Sequence, residues 1–390
     1  MSYKPMPFIS PKSRPFTADA FETRQEFRRM GMARSETSRR YSTLDGMRGI
    51  AALLVAVYHF QERQNLDYVG GYLAVDLFFA LSGFVIALNY SGRLADGLPL
   101  WSFLRFRIAR LYPVYALGLG MGIARQLLAH ALHDPRAMNW ALLVSAAGFG
   151  TVMLPSPVHD QLFPLNGPAW SLFFEMAINI AFAAGLWRAR SAVILVLMAF
   201  SVLLLVATIG APFYFNAGWA WASFLPGLAR TIFSFSAGIL IFRRVPRGEC
   251  RHTWGVILPL LLMTALIGYP ASGSHQKLFE LAAVVVAFPG LLAFGLLAEP
   301  PRQLKTVLSF LGDLSYPIYA IHWPMLPLIV PLILKLKFGF WLSAGVYLVI
   351  IVLLGYAAFR FVDAPMSLWL RRKLRPPAQA RISPPVLSST

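Results

Sequence analysis

The sequence predicts an all-α polytopic membrane protein with about ten transmembrane helices plus one re-entrant or interfacial segment. Of its 390 residues, 57% are hydrophobic and only 13% are charged, which is about half the charged share of a typical soluble protein. Apolar stretches recur from Gly49 to Val362, and many reach the ~20 residues that a helix needs to cross a bilayer. These observations exclude a soluble globular enzyme, a disordered chain and a secreted disulfide-rich protein.

Eleven apolar segments are candidates for membrane helices. They cover residues 46–62, 70–90, 110–130, 138–154, 167–187, 191–211, 222–242, 254–270, 278–298, 315–334 and 340–362. Eleven crossings would place the two termini on opposite sides, whereas both tails are rich in Lys and Arg, which mark cytoplasmic segments. We therefore predict an even number of crossings, with the short, glycine-containing segment 138–154 re-entrant or interfacial.

The chain divides into three predicted regions. Residues 1–43 form a disordered, basic cytoplasmic tail without a signal-peptide pattern, 44–366 form the membrane domain, and 367–390 form a second basic cytoplasmic tail. The single cysteine, Cys250, excludes an internal disulfide and a cysteine-based metal centre. The net charge of +18 does not favour nucleic-acid binding, because the basic residues lie between apolar segments and so encode topology.

The first membrane segment carries two ionisable side chains, Arg48 and His59, which are eleven residues apart. This spacing is about three helical turns, so both side chains lie on one face, roughly 16 Å apart along the axis. Ionisable groups in a membrane are costly and mark functional sites. Arginine suits phosphate recognition and histidine suits proton abstraction. The alternatives are a topology charge for Arg48 and a packing role for His59.

Two carboxylates lie in other membrane segments. Glu175 follows Ser171 by four residues, which places both on one helix face, and Arg230 in the seventh crossing is the predicted partner of this carboxylate. A structural ion pair and a catalytic role are both open for Glu175. Asp76 either orients His59 or pairs with an arginine.

Two further groups of polar residues share helix faces. Arg107 and Arg110 are three residues apart and point toward the predicted cytoplasmic surface, either as a binding site or as an ordinary cluster of topology charges. Ser315, Tyr319 and His322 follow one another at intervals of four and three residues, which places them on one face of the tenth segment.

The combined pattern resembles acyltransferase family 3, bacterial membrane-bound O-acyltransferases. The resemblance covers about residues 44–366 and rests on six stretches in the family's order. These are Arg48 with His59, GYLAVDLFFALSGF, Arg107-x-x-Arg110 followed by LYP, WSLFFE, GDLSYPIYAIHWPM and FRFVDAP. The family often has a second acidic residue after the one at Glu175, where this chain has Met176. Its closing stretch more often reads E-x-P than the D-x-P found here.

The resemblance implies transfer of an acyl group, most often acetyl, from cytoplasmic acyl-CoA to a hydroxyl of a surface polysaccharide or lipid-linked sugar. It implies an integral protein of the bacterial inner membrane, with acyl-CoA as co-substrate, no tightly bound cofactor, no metal and no nucleic acid. Separate polysaccharide-assembly proteins are possible partners beside the membrane lipids. The expected catalytic residues are His59, Arg48, Glu175 and Asp76. The expected acyl-CoA-binding residues are Arg48, Arg107 and Arg110, and those expected to bind the acceptor are Asn166, Trp170, Ser171, Arg230, Tyr319 and His322.

The sequence leaves other functions open. A transporter or flippase for a glycolipid or polysaccharide precursor also needs charges along a membrane pathway, although the chain has no internal repeat of the kind that many transporters show. A structural assembly partner with a degenerate site is a third alternative. Within the enzyme hypothesis, His59 acts either as a general base in direct transfer or as a nucleophile that forms an acyl-imidazole.

Overall fold

The computed structural model describes residues 40–208, 215–245, 253–269, 275–297 and 299–373. Within these ranges the protein is built of helices and contains no β-strand longer than an isolated bridge, so the all-α prediction is confirmed. Most of the two predicted tails, and also Cys250, lie outside the described residues.

Every predicted membrane segment coincides with helix. In chain order the α-helices are α1 Ser42–Glu62, α2 Ala74–Ala95, α3 Leu100–Ala131, α4 Trp140–Thr151, α5 Ala169–Ala184, α6 Ser191–Ala207, α7 Phe224–Arg244, α8 Thr253–Gly268, α9 Gln276–Ala282, α10 Phe288–Gly295, α11 Arg302–Leu334, α12 Phe340–Ala358 and α13 Ala364–Lys373. A π-helical turn joins α9 to α10, and another joins α12 to α13. Each of these two pairs is therefore one continuous helix.

Five helical stretches of the described ranges are long and apolar enough to cross a bilayer. They are Gly71–Ala95, Trp221–Arg244, Gln276–Gly295, Arg302–Leu334 and Phe340–Leu370. Helix α4 has 12 residues and is about 18 Å long, which is shorter than the ~30 Å hydrocarbon core. Ten crossings, the re-entrant segment and the cytoplasmic location of both termini remain predictions.

Glycine permits close helix packing at contacts that include α2–α7 and α1–α11. A methyl group at Gly83 of α2 would lie 2.1 Å from the carbonyl oxygen of Phe235 in α7. A methyl group at Gly49 of α1 would lie 2.5 Å from Cβ of Leu311 in α11. No side chain fits at such distances, so glycine allows these backbones to touch. The α2–α7 contact therefore depends on Gly83, and the α1–α11 contact brings two faces with polar residues together.

Candidate active site

A cavity of about 180 Å³ lies between α1, the start of α5, α7 and α11. Its wall combines titratable groups with aromatic rings, which is typical of a small-molecule site. The side chains that matter most for the chemistry are His59, Glu62, Trp170, Arg230, Tyr319 and Trp323.

Two loops contribute to the wall of this cavity through Gln161 and Trp219. Backbone hydrogen bonds run from Leu162 N to Trp219 O at 2.8 Å and from Trp221 N to Asp160 O at 3.0 Å. The indole of Trp221 also donates to Ser156 O at 2.9 Å. His159 packs its Nδ1 2.7 Å from Ser156 Oγ, and burial lowers the pKa of this histidine. The loops before α5 and before α7 are therefore joined by hydrogen bonds.

His59 is held by a carboxylate one helical turn away. Its Nδ1 lies 2.7 Å from Glu62 Oε2, and an ionised carboxylate can only accept a hydrogen bond. The neutral imidazole must therefore carry its proton on Nδ1, which leaves the lone pair on Nε2. Among the described residues, no group forms a hydrogen bond with Nε2, and the side chain is 18% exposed. His59 lines the cavity, and its Nε2 is available as a base.

A chain of hydrogen bonds next to His59 ends on the carboxylate of Glu62. Asn216 Nδ2 donates to the hydroxyl of Tyr58 at 2.8 Å, and this hydroxyl donates to Glu62 Oε1 at 2.6 Å. The second oxygen of Glu62 accepts the hydrogen bond from His59 Nδ1. Sequence reasoning missed Glu62, although a carboxylate three residues after a histidine on a helix is itself a signal for such a pair.

A second histidine, His322 of α11, lies against His59. The two rings stack with centroids 5.2 Å apart and an angle of 20° between their planes. Trp323 meets His59 edge-on at 4.7 Å. Nδ1 of His322 donates to the carbonyl of Tyr319 at 2.8 Å, and its Nε2 is buried without a hydrogen-bond partner in the described part of the chain. The predicted polar face of α11 therefore meets the His59 face of α1.

Arg230 and Asp76 form a fully buried ion pair. The Arg230 Nη2–Asp76 Oδ2 distance is 2.5 Å, and the two side chains are 1% and 0% exposed. Nη1 donates to the carbonyls of Phe215 and Ala217, and Nη2 donates to that of Tyr72. Every N–H of this guanidinium has an acceptor, as a buried charge requires. Of the two alternatives for Asp76, the structure shows the arginine pair.

Glu175 has a different partner from the predicted one. Its Oε1 accepts hydrogen bonds from Arg107 Nη2 and from Ser82 Oγ, both at 2.8 Å. The prediction that Arg230 pairs with Glu175 is wrong, because Arg230 forms its ion pair with Asp76 of α2. The charge of the Glu175 carboxylate is instead balanced by Arg107 of α3.

The other two predicted cations also contact acidic or polar side chains. Arg110 Nη1 contacts both carboxylate oxygens of Asp363 at 2.8 and 2.9 Å. Arg48 donates to Ser315 Oγ at 3.0 Å and lies 3.5 Å from a carboxylate oxygen of Asp45. Arg110 and Glu175 are among the electrostatic neighbours of Arg48, so the predicted cationic groups form one cluster. As predicted, Arg48 and His59 face the same side of α1, since both meet α11.

Three of the predicted acceptor-binding residues connect α11 to the start of α5. Ser171 Oγ and the Tyr319 hydroxyl lie 2.7 Å apart. Asn166 Nδ2 donates to the carbonyl of Ala320 at 2.9 Å, and this carbonyl lacks its helical donor because residue 324 is a proline. Trp170 packs near Arg230, with the guanidinium carbon 5.8 Å from the ring centroid. These contacts join α11 to the start of α5 in the wall of the cavity. That the same residues bind the acceptor remains a prediction.

Comparison with known proteins decides the family. The family model of the acyltransferase domain of acyltransferase family 3 matches residues 41–360. The chain belongs to acyltransferase family 3. This confirms the resemblance seen in the sequence, and it supports an acyl-transferring enzyme in the membrane over a transporter. No solved structure matches the chain.

Curated relatives of this family member include proteins of surface glycans. It is 39% identical to Protein 2 in picA locus of Rhizobium radiobacter over 43% of the chain and 94% of that protein. It is 26% identical to the exopolysaccharide production protein ExoZ of Rhizobium meliloti over 80% of the chain and 94% of the relative. It is 24% identical to the peptidoglycan O-acetyltransferase OatA of Listeria monocytogenes over 84% of the chain, but only 56% of OatA.

Proposed function

We propose that this family member transfers an acyl group, most often acetyl, from cytoplasmic acyl-CoA to a hydroxyl of a surface polysaccharide or lipid-linked sugar. The observation that carries the proposal is the pair formed by His59 and Glu62, which leaves the lone pair on Nε2 of a histidine that lines the cavity. A base placed in this way can remove the proton of an alcohol as the alcohol attacks.

The proposed reaction is direct transfer. His59 Nε2 takes the proton from the acceptor hydroxyl while the oxygen of this hydroxyl bonds to the carbonyl carbon of the thioester. The carbon–sulfur bond of the resulting tetrahedral intermediate then breaks, and the imidazolium returns the proton to the departing thiolate of coenzyme A. The carboxylate of Glu62 stabilises the imidazolium through the Nδ1–H hydrogen bond between the two steps. In the alternative, Nε2 attacks the thioester itself and forms an acyl-imidazole that the sugar hydroxyl then cleaves.

The donor is proposed to bind at the cationic cluster of Arg48, Arg107 and Arg110. Arg48 and Arg110 are 30% and 36% exposed, so part of each side chain is accessible, and arginine suits the phosphates of coenzyme A. Arg107 is 11% exposed and is held by Glu175, which suits a fixed positive charge behind the other two. On the predicted topology this cluster faces the cytoplasm.

The proposed acceptor follows from the relatives and from the cavity. An exopolysaccharide production protein and a peptidoglycan O-acetyltransferase are both similar to this chain, and sugars bind to sites that combine aromatic rings with polar groups. Trp170 and Trp323 supply such rings in the wall of the cavity.

Reconstitution tests the proposed reaction. The purified protein in vesicles would receive acetyl-CoA with a labelled acetyl group, and polysaccharide isolated from cells that lack the protein. We expect the acceptor to gain the mass of one acetyl group per modified sugar, and only when acetyl-CoA is supplied on the face that carries Arg48. Transport of the glycan without acylation would contradict the proposal.

Replacing Glu62 with glutamine should lower kcat by about tenfold to a hundredfold, because the neutral amide stabilises the imidazolium less well than a carboxylate. The amide also has one oxygen for two donors, His59 Nδ1–H and the Tyr58 hydroxyl. KM for the acyl donor should change little, since Glu62 lies at the end of α1 whereas Arg48 of the proposed donor site lies near its start. Initial rates across a range of donor concentrations measure both constants.

Asp67→Asn is the matched control for Glu62→Gln. Asp67 lies five residues further along and is exposed, so its replacement removes the same charge from the same region without touching His59. We expect wild-type kcat in this variant. An equal loss of kcat in both variants would mean that the general negative charge of the region matters, not the Glu62 hydrogen bond.

A further inference from the structure

Arg40 lies just before α1 and connects the start of this helix to α11. Its Nε donates to Asp45 Oδ2 of α1 at 2.5 Å. Its Nη2 donates to Asp313 Oδ1 of α11 at 2.7 Å and to the carbonyl of Ser309 at 2.6 Å. One guanidinium therefore balances two carboxylates on two neighbouring helices, which its planar fork of N–H donors allows.

Asp45 is shared unequally between Arg40 and Arg48. Its Oδ2 contacts Arg40 at 2.5 Å, whereas its Oδ1 lies 3.5 Å from Arg48 Nη1. The second distance is longer than an ordinary N–H···O hydrogen bond. Arg48 makes its shorter contact with the neutral hydroxyl of Ser315, at 3.0 Å. The charge of Asp45 is thus balanced mainly by Arg40, and Arg48 keeps most of its positive charge for another anion.

Asp45 is held in place by the contact between α1 and α11. A methyl group at Gly312 would lie 2.5 Å from Asp45 Cβ, and the Asp45 side chain is 13% exposed. Little water screens a carboxylate in such a place, so its interactions with nearby charges are strong. Without Arg40, Arg48 would be the remaining cation in contact with Asp45 in the described part of the chain. Asp45 would then compete with any phosphate for the guanidinium of Arg48.

We infer that Arg40 is a positioning residue for the acyl donor, because it balances Asp45 and Asp313 and so leaves Arg48 available to the phosphates of coenzyme A. The inference rests on the proposed function, since it concerns the donor site of that reaction. Arg40 directly precedes residues 41–360, which the family model matches. Control of Arg48 by this arginine is thus assigned to a residue outside the matched domain.

Two other roles would use the same contacts of Arg40. Its side chain is 43% exposed, so direct contact with a phosphate is one alternative. A purely structural link between α1 and α11 is the other. Direct contact predicts that removing the charge of Asp45 does not compensate for the loss of Arg40. A structural link predicts that stability and kcat fall together with donor binding.

The experiment measures donor binding and acyl transfer in the same variants. Coenzyme A is titrated into the purified protein in detergent to give Kd, and transfer from acetyl-CoA to polysaccharide in vesicles gives KM and kcat. The variants are Arg40→Gln, Arg40→Lys and the double variant Arg40→Gln/Asp45→Asn. Lys305→Gln is the matched control, because Lys305 is exposed on α11 one turn before Ser309, so its replacement removes the same charge from the same region.

We expect Arg40→Gln to raise Kd of coenzyme A and KM of acetyl-CoA about tenfold, as the loss of one charge-assisted hydrogen bond predicts. The value of kcat should stay at the wild-type level, because Arg40 precedes α1 whereas His59 lies in the last turn of that helix. Arg40→Lys should lie between the wild type and Arg40→Gln, since an ammonium group keeps the charge but lacks the fork. The double variant should return Kd and KM close to the wild-type values, because the competing carboxylate is gone. Lys305→Gln should match the wild type.

Three outcomes would overturn the inference. One is a double variant that binds coenzyme A as weakly as Arg40→Gln, which would mean that Arg40 contacts the donor itself. Another is a parallel fall of kcat and of the thermal unfolding midpoint in Arg40→Gln, which would leave only the structural link. The third is the same rise in Kd for Lys305→Gln, which would indicate a general effect of charge. Each is read from variants of an active wild type, whereas failure of the proposed function would appear as a wild type that transfers no acyl group.

Discussion

Replacing His59 with glutamine or alanine is expected to slow acyl transfer by about 100- to 10,000-fold, the range that a positioned general base contributes. His59 lines the cavity, and its Nδ1 is hydrogen-bonded to Glu62. Glutamine keeps a polar side chain near Glu62 but offers no basic nitrogen. Transfer of labelled acetyl from acetyl-CoA to polysaccharide in vesicles measures the loss.

Folding must be separated from chemistry in this experiment, because His59 also packs against His322 and Trp323. Thermal unfolding in detergent should therefore show nearly the same midpoint for His59→Gln and wild type, while alanine costs more because it leaves a gap beside two rings. His275→Ala is the control, since that side chain is exposed at the start of α9. Substantial transfer by a folded His59→Gln protein would remove His59 from the mechanism.

Periodicity along single helices made part of this site predictable. The eleven-residue interval between Arg48 and His59 fixes their common face, because an α-helix repeats every 3.6 residues. The same reasoning groups Ser315 with His322 on α11. The structure joins the two faces directly, with Arg48 donating to Ser315 and His59 stacked on His322. Resemblance to the family's motifs supplied the proposed chemistry.

Pairing between helices was not predictable in the same way. Both Asp76 and Glu175 need a cation, and the choice between Arg107 and Arg230 depends on which helices are neighbours. The close α2–α7 contact at Gly83 brings Asp76 to Arg230, which leaves Glu175 to the arginine of α3. The sequence pattern along a single helix contains no information on which helices are its neighbours.

Glu62 was missed for another reason. It stands at the C-terminal end of α1, where a charged residue is ordinarily solvated and its presence needs no functional explanation. Its function depends on three side chains that meet only in the folded protein, His59, Tyr58 and Asn216. Asn216 is more than 150 residues away in the sequence, so no local pattern connects it to the pair.

Replacing Asp76 with alanine is expected to cause the largest loss of stability, about 3–5 kcal/mol, because removal of one partner leaves the other charge buried and unpaired. Arg230 is 1% exposed, so its guanidinium cannot turn to water. The carbonyls of Tyr72, Phe215 and Ala217 would still accept from it, but no anion would remain to balance the charge. Denaturant unfolding in micelles measures the change in the free energy of unfolding.

A double-mutant cycle separates the ion pair from the packing of its members. Arg230→Met alone should also destabilise, since it leaves the carboxylate of Asp76 buried without its cation. The double variant Asp76→Leu/Arg230→Met should recover most of the lost stability, because apolar side chains of similar size can replace a buried pair at little cost. Asp134→Ala, which removes an exposed ion pair with Arg136, should leave the free energy of unfolding unchanged. If the double variant is folded and stable yet inactive, Arg230 acts on the substrate in the cavity that this arginine lines. If the double variant is active, the ion pair serves the fold alone.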